Sequence, residues 1–285
     1  PRAAVPALRP ALQGQLSMAD RLVSTPRQVA RLLAVIGWIS CGLLLVCWVQ
    51  LMQRLQPAAV DRQRQKLTRW WMRNLIRILP LQVRVTGAPP ARTALWVSNH
   101  VSWLDIVVLG AQAPVHFLSK AEVRDWPVIG WLAGAAGTCF IQRGQGTSST
   151  VQDQLTDVLA ADRSLVIFAE GTTTAGDKVR TFHGRLLAAA IEAQVPTQPI
   201  AVAYRHAGER DTFAPFIDDD EFSGHLWRLL SSRDIDVEIH FLPVFDSTAM
   251  NRNQLARSAH AAVAQALGLD GGKSSSESAE VKAAA

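Results

Sequence analysis

The heptapeptide Asn99-His100-Val101-Ser102-Trp103-Leu104-Asp105 sets an imidazole and a carboxylate five residues apart. An imidazole that titrates near neutrality can take a proton from an alcohol. A carboxylate at its other nitrogen fixes the tautomer and stabilises the cation that forms. The preceding Ala94-Leu95-Trp96-Val97 reads as a buried strand and residues 103–109 as the first turns of a helix, which puts His100 on the connecting turn. The same residues carry a plainer reading. Ser102-x-x-Asp105 matches a helix-capping pattern in which Asp105 only satisfies backbone donors. Ser102 lies near enough to be weighed as a nucleophile, but no G-x-S-x-G elbow surrounds it and a helix cap explains it better. Taken alone, the heptapeptide leaves both readings of Asp105 open.

Further along, Glu170-Gly171-Thr172 closes the apolar run of residues 165–168. A carboxylate there can hold a basic residue or a substrate hydroxyl, and Gly171 lets backbone approach a ligand closely; a plain turn with a surface glutamate is the competing view. Lys120, Arg143, Lys178 and Arg180 each follow or end a predicted strand and are candidate anion ligands. Arg143 leads, because a guanidinium grips phosphate or carboxylate in a bidentate fork. His183 has no carboxylate at a useful offset and reads as a helix-start residue. No metal is expected, since the His100–Asp105 spacing does not reproduce a ligand pair and no second histidine or cysteine cluster follows. Two imitations of phosphate loops, residues 268–274 and Gly144-Gln145-Gly146, lack the required spacing.

The pattern N-H-x-x-x-x-D resembles the first signature of the glycerolipid acyltransferases, and three more blocks follow in that family's order. Gly137-Thr138-Cys139-Phe140-Ile141-Gln142-Arg143 resembles its G-x-x-F-I-x-R block, Phe168-Ala169-Glu170-Gly171-Thr172 its F-P-E-G-T block, and Val195-Pro196-Thr197-Gln198-Pro199-Ile200 its V-P-x-x-P-I block. Residues 120–130 are similar to its K-x-x-x-x-x-x-P-x-x-G stretch. The resemblance implies a layered α/β domain with a mainly parallel or mixed sheet, preceded by a membrane helix. It implies direct acyl transfer from a thioester to a lysolipid hydroxyl, with His100 as base and Asp105 orienting it. Asn99, Lys120, Arg143, Glu170, Gly171 and Thr172 would then bind substrate. No cofactor is implied beyond the donor, acyl-CoA or acyl-carrier protein, so a carrier protein joins membrane lipids among the expected partners.

Two departures bear on the acceptor. Ala169 stands where the family has proline, and Thr173 where an arginine usually follows E-G-T, which removes one phosphate ligand. Lysophosphatidic acid, giving phosphatidic acid, is the first expectation. The run Glu170-Gly171-Thr172-Thr173-Thr174 is similar to lyso-ornithine-lipid acyltransferases and keeps that acceptor, or another lysophospholipid, as the alternative. A non-catalytic membrane lipid binder would need no paired His100 and Asp105; a thioester hydrolase would put water in place of the alcohol.

These residues need a scaffold, and 285 residues with 48% apolar and 19% charged composition suffice for one substantial core plus a membrane segment. Three cysteines, Cys41, Cys47 and Cys139, form neither a disulfide framework nor a metal pattern. Residues 32–53 carry no charge, long enough for a helix to cross a hydrocarbon layer of roughly 30 Å, and too long and too far along for a signal-peptide core. Basic residues are denser after this stretch than before it, which predicts a cytoplasmic catalytic domain. Leu67, Trp71, Leu75 and Ile78 recur at helical spacing among arginines, predicting an amphipathic helix on the membrane surface. A net charge of +5 suits anionic lipid, whereas nucleic acid is discounted because the charge borders an apolar helix rather than a stacking platform. Strands are predicted at residues 95–97, 116–118, 138–141, 165–168, 200–204 and 237–241, and helices at 103–112, 147–161, 184–194 and 251–267. The resulting organisation is a basic segment (1–31), a membrane helix (32–53), an interfacial helix (61–80), a catalytic domain (83–268) and a polar, disordered tail (269–285).

Overall fold

A computed structural model of the chain describes residues 18–55, 57–141, 149–217, 220–232 and 234–269. The expected disordered tail, apart from Leu269, lies outside the described residues. Two helices open the described chain, α1 (Met18–Leu55) and α2 (Pro57–Ile78), followed by β1 (Leu81–Thr86), β2 (Leu95–Ser98) and α3 (Leu104–Gly110). Next come β3 (His116–Lys120), a 3-10 turn (Ala121–Asp125), α4 (Ile129–Ala135), β4 (Cys139–Ile141), α5 (Ser149–Ala160) and β5 (Leu165–Phe168). The remainder is α6 (Gly184–Glu192), β6 (Thr197–His206), β7 (Glu209–Arg210), α7 (Phe222–Ser231), β8 (Ile235–Phe241) and α8 (Arg252–Ala266).

The strands form one mixed sheet in the order β1-β8-β6-β2-β5-β3-β4, with β7 beside β6. The centre, β6-β2-β5-β3-β4, is parallel throughout, while β8 runs antiparallel to β6 and carries β1 parallel to itself. A parallel sheet must be covered on both faces, which is why Leu95-Trp96-Val97 is an unbroken buried apolar run. Trp96 packs into the core shared with α1, α2, α3 and α7. Leu95 and Val97 point the other way, into the core with α5, α6 and α8.

Part of the amphipathic stripe of α2 packs against the protein itself. Met72, Leu75 and Leu79 are buried in the core with α3. Trp71 and Trp38 exchange indole-to-carbonyl hydrogen bonds of 3.0 and 3.1 Å, locking α2 onto α1. Arg69 and Arg73 donate to the Ala111 carbonyl at the end of α3 at 3.3 and 3.0 Å, where a helix dipole favours cations. Trp70 remains exposed. The apolar part of α1, Thr25–Leu55, is long and apolar enough to cross a membrane. α1 itself extends N-terminal to the charge-free stretch, and there Arg27 and Arg31 donate to the last carbonyls of α7, at Ser231, Leu230 and Ser232.

Candidate active site

Ligands of open α/β sheets bind outside the carboxyl ends of the parallel strands. Here β2 ends at Ser98 and turns through His100, β5 ends at Phe168 and turns through Glu170, β3 ends at Lys120, and Tyr204 lies near the end of β6. His100 Nδ1–H donates to Asp105 Oδ2 at 2.7 Å. The tautomer follows from the partner, because an ionised carboxylate only accepts. That oxygen also accepts the backbone N–H groups of Val101, at 2.7 Å, and Ser102, at 3.0 Å. Asp105 therefore closes the turn and holds the imidazole with one atom, so the capping contact and the ring contact occur together. Ser102, expected as the cap, has no hydrogen-bond partner for its hydroxyl among the described residues.

The Phe168 ring stacks on His100 with centroids 4.0 Å apart and planes 11° from parallel. The ring is thus fixed by a face and by Nδ1, while Nε2 has no partner among the described residues. The imidazole, 18% exposed, lines a cleft of 1610 Å³. Small-molecule pockets usually hold about 300–1,000 Å³, so this one has room for more than one substrate. Its polar end holds His100, Gly171, Thr172 and Thr173, and it extends between α1 and α4 past Leu45, Val49 and Trp131. Trp103 forms part of the wall and is held by its indole N–H, which donates to His225 Nδ1 at 3.1 Å. Burial, with Arg228 adding to it, lowers the His225 pKa and keeps that ring a neutral acceptor.

The other predicted ligands divide. Gly171, at φ +72°, and Thr172 line the cleft, and so does Lys120 at the tip of β3. Arg143 lies outside the described residues. Asn99 does not face substrate: its side-chain amide donates to the Val202 carbonyl at 2.9 Å and accepts the Val202 N–H at 2.8 Å, extending the β2–β6 ladder. Glu170 is likewise a brace. Its two oxygens accept the backbone N–H groups of His100 and Arg180, each at 2.7 Å, and its side chain is buried. Burial raises the Glu170 pKa, opposed by those two hydrogen bonds. Lys178 and Arg180 are exposed and do not belong to the cleft wall. His183 starts α6, as expected, without a side-chain cap bond.

Sequence reasoning missed Tyr204, whose buried hydroxyl donates to Asp105 Oδ1 at 2.6 Å. The signal was present, since Tyr204 is the only tyrosine in the chain and falls in an apolar strand in phase with Ile200 and Val202.

The Acyltransferase family profile matches residues 82–203, the stretch from β1 to β6 that holds His100, Asp105, Lys120, Glu170, Gly171 and Thr172; Tyr204 follows directly. The chain is 50% identical over 241 residues to the lyso-ornithine lipid O-acyltransferase of Pseudomonas aeruginosa, covering 85% of this chain and 93% of that protein. It is 30% identical to the 1-acyl-sn-glycerol-3-phosphate acyltransferase of Neisseria gonorrhoeae, over 54% of this chain and 60% of that one. The crystal structure of the 1-acyl-sn-glycerophosphate acyltransferase of Thermotoga maritima superposes with a TM-score of 0.61 at 18% identity, covering 85% of this chain and 96% of that one, and so shares the fold. The chain belongs to the acyltransferase family whose members acylate lysolipids.

Proposed function

We propose that this protein O-acylates a lyso-ornithine lipid, taking the acyl group directly from an acyl thioester. The observation that carries the acceptor is the 50% identity along 93% of a relative named for that reaction, against 30% along 60% of one named for lysophosphatidate. The chemistry of the cleft supports it. Thr173 lines the site with a hydroxyl where the family usually has a guanidinium. An ornithine headgroup brings a carboxylate and an ammonium instead of a phosphate monoester, so it needs less fixed positive charge. Lys120, Glu122 and Asp125, all on the cleft wall, offer both signs.

The free Nε2 of His100 takes the proton of the acceptor hydroxyl as that oxygen bonds to the thioester carbonyl carbon. The tetrahedral adduct collapses with cleavage of the C–S bond, and the imidazolium returns its proton to the departing thiolate. Asp105 holds the imidazolium while it lasts. Products are the diacylated lipid and a free thiol, of coenzyme A or of a carrier protein, and no acyl-enzyme is formed.

The membrane geometry follows from how α1 is held. Contacts run along it from Arg27 on α7, through Trp38 and Gly42 on Trp71 of α2, and Val49 is buried where α1 borders the cleft. A helix attached to the domain along its length cannot cross a bilayer without drawing the domain in. We therefore place α1 in the plane of one leaflet, with the exposed Leu33, Ile36, Leu44, Trp48, Leu51 and Leu55 in lipid. The lipid-facing helix then opens the cleft to acceptors from the bilayer, and a cytoplasmic thioester reaches it from the aqueous side.

The test is purified protein in detergent, given a labelled acyl thioester and either lyso-ornithine lipid or lysophosphatidic acid. The proposal expects kcat/KM at least ten-fold higher for the ornithine acceptor. The reverse preference overturns the acceptor, and thioester cleavage that ignores both acceptors overturns the transferase reading in favour of hydrolysis.

A further inference from the structure

Strand β6 carries Ile200, Val202 and Tyr204 on one face, in the same core as Trp96 and α3. A third aliphatic side chain would complete that stripe. A phenol in its place buries a hydroxyl, which is unfavourable without a partner. The partner is Asp105 Oδ1, at 2.6 Å, and both side chains are shut off from solvent. The remaining hydrogen bonds to this carboxylate, from His100, Val101 and Ser102, all reach Oδ2. Tyr204 thus holds the one carboxylate oxygen that the catalytic turn leaves untouched.

We infer that Tyr204 is a positioning residue for proton transfer at His100: its hydroxyl fixes the rotation of the Asp105 carboxylate and shares its negative charge. The inference rests on the reading of His100 as base. Fixing the rotation keeps Oδ2 in line with Nδ1, so the ring presents Nε2 to the cleft at one angle. Sharing the charge limits how strongly Asp105 favours the protonated ring, which cannot act as a base. Burial first, and the Asp105 charge second, push the Tyr204 pKa far up, so the phenol stays a donor throughout the working range. Two other carboxylates act on the group, Glu170 through the His100 backbone and Asp211 near Tyr204. Asp211 is itself tied to the N–H groups of Phe213 and Ala214. Neither set of bonds depends on the phenol, so a Tyr204 variant leaves both in place.

Tyr204→Phe keeps the ring and removes the hydroxyl. The expected result is a fall in kcat of about ten-fold with KM for both substrates within about two-fold, since the lost contact acts on the base and not on substrate. The acid limb of the pH–rate profile should move up by about half a unit or more, because an unshared carboxylate favours the imidazolium. A variant with wild-type kcat and an unmoved acid limb overturns the inference. A purely structural role would lower the melting temperature without moving that limb.

Should the variant not fold, the wild-type chain supplies the measurement. With one tyrosine in the sequence, growth on meta-fluorotyrosine yields a single fluorine resonance. That resonance should titrate at the midpoint of the acid limb and lose the transition in His100→Ala. A resonance flat through the acid limb overturns the role of Tyr204. The two readings separate in the activity of His100→Ala: if it stays active, the base assignment itself fails, whereas an inactive His100→Ala with a silent fluorine signal removes only Tyr204.

Discussion

Replacing Asp105 by asparagine takes away charge while leaving most of the geometry. Oδ2 accepts from His100 Nδ1 and from two backbone N–H groups, and only an oxygen can take that place. The amide oxygen of the introduced asparagine must therefore face His100, leaving the NH2 to meet Tyr204, whose phenol turns to accept it. This differs from an amide free to turn its NH2 to the imidazole, which inverts the tautomer and costs about 10⁴-fold in rate. With the tautomer kept, the loss is that of imidazolium stabilisation alone, and kcat should fall by about 10² to 10³-fold. Charged hydrogen bonds become neutral ones, which costs about 1–2 kcal/mol of folding stability. In a domain of this size that lowers Tm by about 2–8 °C. The assay pairs acyl-transfer rates with thermal melts on the same detergent preparation. A variant that keeps more than a third of wild-type turnover refutes the orienting role. One that loses activity only in proportion to unfolded protein reduces Asp105 to a cap.

Glu170→Gln should destabilise the protein by about 1–3 kcal/mol, because an amide NH2 must face one of the two backbone donors now held by the carboxylate. The Glu170 pKa is raised on folding by burial, so the stability linked to its ionisation is present below the ordinary carboxylate range and is lost as pH rises through the raised folded value. Melts of wild type and Glu170→Gln across mildly acidic pH should show the wild-type advantage shrinking with pH and then levelling; an advantage that grows with pH contradicts the assignment. Leu44→Ser with Leu51→Ser should weaken binding to vesicles while sparing turnover of detergent-solubilised substrate, since both side chains point away from the domain. Unchanged vesicle binding would remove the in-plane placement of α1.

The strand-turn-helix around His100 was legible because its signals are local: an apolar run, a polar turn and a capping pattern within a dozen residues. All six predicted strands formed, β6 extending further at both ends as the long central strand. β1 alternates apolar and polar residues, but it is short, follows directly on the basic helix and is not among the six predicted strands. α4 was missed because Gly130 and Gly134 dilute its helical signal in seven residues. The roles of Asn99 and Glu170 could not be read, because their partners include backbone groups supplied by distant segments, Val202 for the one and His100 for the other. What covers the apolar stripe of α2 was not legible for a related reason. Periodicity shows that a helix has an apolar face but not whether lipid or protein covers it.

His100→Ala measures the central claim most directly. With lyso-ornithine lipid and a labelled acyl thioester, the account predicts turnover reduced by about 10² to 10⁴-fold, with vesicle binding and folding retained. A variant that keeps more than half of wild-type turnover would contradict it.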